Sequence, residues 1–570
     1  MKYSKLCELY DAISGTSKRL EKTDILAKFL KNLDESDKDS LYLLLGKIYA
    51  DYDEKRIGIS NQLAIKAIAK ATGMQNDKVV HEWKIIGDLG KVAEKLISHK
   101  KQSTLTSHSG LTVQKVLENL RKLPGLEGKG TIEKKISLIT ELLYSATGKE
   151  ALYIIRTLLA DLRIGIKEST IRDALADAFF SDNKKEAVAD IQDAIDKSND
   201  IVEVFDMVRK GRLKELKKIH LEIGKPIKVM LAQKVRSISE AFETVGKPCA
   251  VEYKYDGFRM LIHKKGSEVI LFTRRLENVT KQFPEVIEYI KKYVKGNSFI
   301  LDSEAVGFDK STKIYQPFQH ISQRIRRKYD IEKLRNELPV EINVFDILYY
   351  EKESLLNETF KKRTEIIKKI IKNQPYKIIC AKQIITSDEK KANEFYREAL
   401  KNNQEGVMFK NLEAVYQPGK RVGHMIKLKP EERDLDLVIT GAEYGTGKRS
   451  GWFSSFILSC KDKDGKFLEI GKMGTGIKEK EEEGISFKEL TEKLKPLIIS
   501  EKGKTVIIKP RVVVAVTYQE IQHSPNYNSG FALRFPRFAA LRPDKSASDA
   551  STLDEIQNDF EKQKRNWRYG

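Results

Sequence analysis

At 570 residues the chain exceeds what one hydrophobic core supports, and three or four domains are expected. Lys and Arg number 104 against 82 Asp and Glu, a formal charge of +22 with a pI near 9.4, which points to a polyanion such as nucleic acid ahead of an anionic membrane. Four widely spaced cysteines, Cys7, Cys249, Cys380 and Cys460, exclude a zinc ribbon or disulfide framework, and no apolar run reaches the ~18 residues of a membrane span, so a soluble, intracellular protein of the cytoplasm or nucleoid is expected.

Residues 1–215 read as an all-α domain, or two helical subdomains. Leucine and isoleucine recur at three- and four-residue spacing in Ile25-Leu26-Phe29-Leu30-Leu33, in Ile136-Leu138-Ile139-Leu142-Leu143 and in Ile154-Ile155-Leu158-Leu159-Leu162. Ser103–Gly110 and Gly125–Gly130 punctuate them as loops. The glycines and hydroxyl of Lys122–Thr131 stand before a helical run; such a start is either a phosphate cradle or an ordinary capped terminus.

From 216 to 248, Pro226 and the polar Ser237-Ile238-Ser239-Glu240 read as a passage between domains. The pattern then changes to strands at Cys249–Tyr253, Phe258–His263, Val269–Thr273, Ser298–Val306 and Glu341–Leu348, with helices at Pro284–Val294, Thr359–Ile371 and Lys390–Lys401. This predicts an α+β domain over 216–428. Beyond it, residues 429–570 read as mainly β: Leu435–Glu443, Phe453–Ser459, Phe467–Met473 and Arg511–Tyr518, with one helix at Phe487–Leu494, suit a small barrel of the OB type, followed by a C-terminal helix over Ser551–Gly570.

The run Ala250-Val251-Glu252-Tyr253-Lys254-Tyr255-Asp256-Gly257-Phe258-Arg259 sets a lysine between two β-prone stretches. Lys254 is either an exposed residue on a surface hairpin or a nucleophile held in a cleft. A nucleophile attacking a nucleotide's α-phosphate needs companions for base, ribose, phosphates and metal. Downstream stand Leu301-Asp302-Ser303-Glu304-Ala305-Val306, Asn343-Val344-Phe345-Asp346, Glu405-Gly406-Val407-Met408-Phe409-Lys410, Met425-Ile426-Lys427-Leu428-Lys429 and Leu533-Arg534-Phe535-Pro536-Arg537-Phe538.

In this order and spacing the set resembles the six motifs of covalent nucleotidyltransferases. With Leu162-Arg163-Ile164-Gly165-Ile166 and Ser17-Lys18-Arg19-Leu20-Glu21-Lys22-Thr23 in the helical third, and Arg542-Pro543-Asp544-Lys545 after the last motif, nearly the whole chain is similar to ATP-dependent DNA ligases of the archaeal and eukaryotic type. The resemblance implies three steps: Lys254 takes AMP from ATP, AMP passes to the 5′-phosphate of a nick in double-stranded DNA, and the 3′-hydroxyl displaces it. It also implies roles in replication, repair and recombination.

By the same resemblance Glu252 reads the adenine edge and Phe345 stacks on its face. Arg259, Arg274 and Glu304 hold ribose and phosphate, while Arg421, Lys427 and Lys429 face the phosphates. Arg534 and Arg537 arrive on a moving C-terminal domain to orient pyrophosphate. Glu304 and Glu405 are the protein contacts for Mg²⁺, with Mn²⁺ as the alternative. A free lysine has a pKa near 10.4, so about one in 2,500 is neutral at pH 7, and Arg259, Lys427, Lys429 and the metal are the cations expected to favour the neutral amine. Ser303 and Met425 depart from the glycine and tryptophan common in the family. A monomer is expected. A sliding clamp is a further partner, with Lys101-Gln102-Ser103-Thr104-Leu105 where some relatives bind one. An RNA ligase or capping enzyme, and an inert DNA-binding clamp, are the rival readings.

Overall fold

The computed structural model describes all residues except 54, 56, 100–109, 127, 129, 212, 217–218, 220, 317, 328, 431–432, 480–483 and 569–570. The clamp-binding stretch 101–105 therefore lies outside the described residues.

The N-terminal third is helical because its apolar residues recur on one face of each helix and bury one another. The helix Gly148–Leu158 shows how one is fixed: Thr147 and Glu150 form a reciprocal capping box, and every residue from Glu150 to Leu158 is buried. Its Tyr153 packs on Tyr10 with ring centres 4.7 Å apart and donates to Asp11 at 2.6 Å. One continuous core runs from Tyr3 to Ile219. Two stretches singled out in the sequence meet here, since Lys22 is buried and donates to the Ile164 carbonyl at 2.8 Å.

The middle of the chain builds two sheets from strands β1 (Leu231–Val235), β2 (Cys249–Lys254), β3 (Phe258–Lys265), β4 (Glu268–Thr273), β5 (Ser298–Gly307), β6 (Val340–Tyr350), β7 (Glu353–Ser354), β8 (Ile378–Cys380), β9 (Gln383–Thr386), β10 (Gly406–Asn411) and β11 (Arg421–Leu428). The first has the order β1-β11-β10-β2-β9; the second runs β4-β3-β5-β6-β7, with β8 added alongside β6. Alternation along β3 explains the layering. Met260 and Ile262 face a core shared with the helices Pro284–Tyr293 and Phe360–Ile370, while Leu261 faces the opposite way, into a cluster with Val422 and Met425 of β11. The two sheets thus pack face to face. Buried ion pairs brace the second, Arg324 gripping Glu285 at 2.6 and 3.0 Å and Arg363 gripping Asp346 at 2.7 and 3.1 Å.

Two expectations are corrected. The stretch 216–248 is not a mere passage, because β1 pairs in parallel with β11 and Ile238–Val245 is a helix. Ser237 accepts from the Glu240 amide at 3.1 Å while Glu240 accepts from the Arg236 amide at 2.8 Å, so the polar tetrad is a helix cap. Nor do β2 and β3 form a hairpin. They belong to different sheets, and Tyr255-Asp256-Gly257 carries the chain from one to the other.

The C-terminal part contains β12 (Arg433–Tyr444), β13 (Phe453–Lys461), β14 (Phe467–Met473), β15 (Ile498–Lys502), β16 (Thr505–Ile508), β17 (Val513–Tyr518), β18 (Glu520–His523), β19 (Phe531–Arg534) and β20 (Arg537–Leu541). The long β12 pairs with β13, β16 and β17, and β17 continues to β20; β18 and β19 form a separate ribbon. No pairing closes this sheet into a barrel among the described residues. The helix Phe487–Leu494 and, through Ile556 and Phe560, the last helix fill its core. No described helix is long and apolar enough to cross a membrane.

Several contacts join the parts, these among them. Lys228 pairs with Asp51 at 3.1 Å and Glu168 at 2.8 Å; Arg534 approaches Asp256 to 4.0 Å; and Lys504 sits 3.9 Å over the Trp83 ring.

Candidate active site

Lys254 ends β2 at the junction of the two sheets, on the wall of a cleft of about 1540 Å³. That is larger than the roughly 300–1,000 Å³ of a typical small-molecule site and leaves room for a second substrate. Two glycines shape it by close approach. A Cβ at Gly257 would collide with the Ala305 carbonyl oxygen, and one at Gly406, where φ is +144°, with that of Leu428.

The Glu405 amide donates to the Lys254 carbonyl at 2.8 Å, and the Glu405 carboxylate pairs with the Lys254 ammonium and, at 2.6 Å, with Lys429. Burial would raise the Glu405 carboxyl, but the two lysines outweigh it and hold the group down at about 2. Asp256 is pushed up to about 7 by burial and by Glu405 and Glu520, against the pull of Arg534 and Lys254. Glu304 is pushed up to about 8, chiefly by burial. The set of cations expected around Lys254 is thus interleaved with carboxylates.

Arg259 is held in a network of its own. Its guanidinium grips Asp302, with Nε at 2.8 Å, and donates to the Met230 carbonyl at 2.7 Å and to Tyr416 at 3.2 Å, while Tyr416 donates to Asp302 at 2.9 Å. Phe345 lines the cleft with Arg259 at 5.3 Å and Lys410 at 4.7 Å from its ring centre. Glu252 is buried and fully engaged, accepting from Gln383 at 2.8 Å and paired with Lys410 at 2.6 Å.

Glu252, Lys254, Arg259, Arg274, Glu304, Phe345, Glu405, Arg421, Lys427, Lys429 and Arg534 all line this one cleft. Arg537 does not. Phe535 adopts φ +51° and Pro536 follows, so the chain turns between β19 and β20 and Arg537 leaves exposed on the other sheet. The departures from the family pattern are accommodated: Ser303 donates to the Met260 carbonyl at 2.8 Å, and Met425 is buried and also reaches the cleft.

Sequence reasoning gave no role to Lys410, Asp302, Gln383 or Tyr416. Strand alternation signals the first two, since Lys410 shares a face with Met408, and Asp302 with Glu304. Nothing local marks Tyr416, which comes from a loop far along the chain.

Lys427 is pulled down to about 8 by burial and then by Lys254, Lys429 and Arg421. Its ammonium attracts phosphate below that pH and loses its charge above it. A phosphate-bearing ligand in the cleft should therefore bind less tightly as pH climbs through about 8, and Lys427→Arg should flatten the change; an affinity constant from pH 7 to 9.5 would refute this.

Family models match most of the chain: "DNA ligase N terminus" over residues 2–176, "ATP dependent DNA ligase domain" over 229–429 and "ATP dependent DNA ligase C terminal region" over 449–545. The chain is 47% identical over 567 residues to a DNA ligase of Nanoarchaeum equitans, spanning 99% of both chains. The chain belongs to the ATP-dependent DNA ligases. A DNA ligase of Thermococcus onnurineus is 39% identical over 99% of both chains, and one of Archaeoglobus fulgidus is 39% identical over 98% of this chain and 97% of its own. The solved structure titled Pmar-Lig_PreS3 shares the fold, with a TM-score of 0.59 at 18% identity over 94% of this chain and 99% of its own. The ligase is thus an enzyme that seals DNA nicks with ATP, and both rival readings are set aside.

Proposed function

We propose that the ligase works through a Lys254–AMP intermediate, a reading carried by the convergence of Lys254, Glu405, Lys429 and Arg534 on one cleft. The Lys254 amine, having lost a proton, attacks the α-phosphorus of ATP; the P–N bond forms as the bond to pyrophosphate breaks. A 5′-phosphate oxygen at the nick then attacks the AMP phosphorus, and lysine leaves and regains its proton. Finally the 3′-hydroxyl attacks the 5′-phosphorus and gives up its proton to solvent, and AMP departs with the bonding electrons.

Phe345 stacks the adenine, and the Glu252–Lys410 pair meets its edge. Arg259 supports the ribose side through its fixed position on Asp302, with Glu304 and Arg274 beside it. Arg421, Lys427 and Lys429 neutralise the phosphates, and Arg534 orients the leaving pyrophosphate. The donor set suits Mg²⁺, which is usually held by one or two carboxylates together with substrate phosphates. Among the described residues there is no three-ligand cluster that would hold a metal by itself, while Glu304 and Glu405 are hard oxygen donors on the cleft wall. Those two residues would hold the ion, which would supply positive charge to offset the charge developing on the phosphates.

The ligase divides functionally into a DNA-gripping domain over 1–215, an adenylation domain over 216–428 and, over 429–570, a domain of the OB type with its terminal helix. It acts as a monomer inside the cell, and a sliding clamp is a further partner to be tested by pull-down. Incubation with α-labelled ATP and Mg²⁺, followed by digestion and mass spectrometry, should place AMP on the Lys254 peptide. A different labelled residue, or no adduct, would refute the mechanism.

A further inference from the structure

Arg534 reaches the cleft from the C-terminal domain, and its own domain decides where it points. Glu520 lies directly opposite it in the β18–β19 ribbon. Glu520 Oε1 accepts from Arg534 Nη1 at 3.1 Å and from Gln522 Nε2 at 2.6 Å, the second bond coming from the same strand face two residues on. The two charged side chains are only 16% and 13% exposed. Across the cleft Arg534 meets Asp256 at 4.0 Å, too far for a hydrogen bond, and the Phe318 ring at 5.7 Å. Its one close, charge-assisted tether among the described residues is Glu520.

We propose that Glu520 is a positioning residue for the adenylation step. It fixes the Arg534 guanidinium before closure, so that docking of the C-terminal domain delivers a donor already aimed at the departing pyrophosphate. Glu520, itself an anion, touches no phosphate and acts through Arg534. The inference rests on the assignment of Arg534 to the first step.

The test uses the full-length ligase with Glu520→Ala, Glu520→Gln, Arg534→Ala and the Ala/Ala double variant. Two rates are read: label transfer from α-labelled ATP to the protein, and sealing of a nick that already carries AMP on its 5′-phosphate. A misaimed group costs on the order of 10²-fold, so Glu520→Ala should slow labelling by roughly 10- to 100-fold while sealing of the pre-adenylated nick changes by less than about 3-fold. Glu520→Gln, whose amide oxygen still accepts from Arg534, should label within about 5-fold of wild type, and the double variant should be no slower than Arg534→Ala, as expected for two residues acting as one unit. Wild-type labelling by Glu520→Ala, equal losses in both reactions, or losses that multiply in the double variant would each overturn the proposal. Should Arg534→Ala itself label at the wild-type rate, the assignment of Arg534 fails; should Arg534→Ala be slow and Glu520→Ala not, only the role of Glu520 fails.

Discussion

Lys254→Ala should form no covalent AMP adduct, and its sealing of an ordinary nick with ATP should fall on the order of 10⁴-fold or more, the scale of losing a nucleophile. The same variant should still join a nick supplied with AMP already on its 5′-phosphate, because the last step needs only the 3′-hydroxyl and a leaving AMP. The fold should survive the change. Glu405 keeps Lys429 as a partner, and the Glu405 amide bonds to the carbonyl of residue 254, which alanine retains. Gel assays with α-labelled ATP and with pre-adenylated nicked DNA check both halves. Labelling of the alanine variant would move the nucleophile elsewhere, and loss of both activities would show a folding defect.

Asp302→Ala should be the costliest single change in the cleft floor. Asp302 is fully buried and takes two donors of Arg259 and the Tyr416 hydroxyl. Removing it leaves an uncompensated guanidinium between the sheets, at a cost of about 3–5 kcal/mol. Because Arg259 also sits against Phe345, KM for ATP should rise as well. Hydrogen exchange of β3 and β5 reports the loss without assuming that a multidomain chain unfolds in one step. Wild-type protection in those strands would show that the pair contributes little.

Much of the cleft was legible because its residues fall in short motifs whose order resembles a known family. Glu252, Glu304 and Phe345 could be placed on cleft-facing strands from pattern and motif order together. What stayed hidden is long-range pairing. Nothing near Tyr255-Asp256-Gly257 tells whether the chain turns back on itself or crosses to a second sheet, since the turn residues are the same in both cases and only the partners of β2 and β3 differ. The cap at Ser237 has the same polar composition as a linker, and only the bonds of Ser237 and Glu240 set it apart. The mix of charge around Lys254 was also invisible: the motifs name the cations, whereas the binding of Glu405 to two of them depends on how β10 and β11 register. Arg537 stands outside the cleft in this structure because the left-handed turn at Phe535 carries it onto β20, which a motif spacing does not reveal.

The contacts of Lys228 with Asp51 and Glu168, of Arg534 towards Asp256, and of Lys504 over Trp83 link the three parts in a closed circuit. A nick inside a chromosome offers no free end to thread, so a duplex bound within such a circuit would have to enter sideways, through a parted joint. Two of the joints belong to the C-terminal domain, and the one that holds Arg534 roofs the cleft. Parting that joint would withdraw Arg534 from the cleft and leave Lys254 open on the C-terminal side.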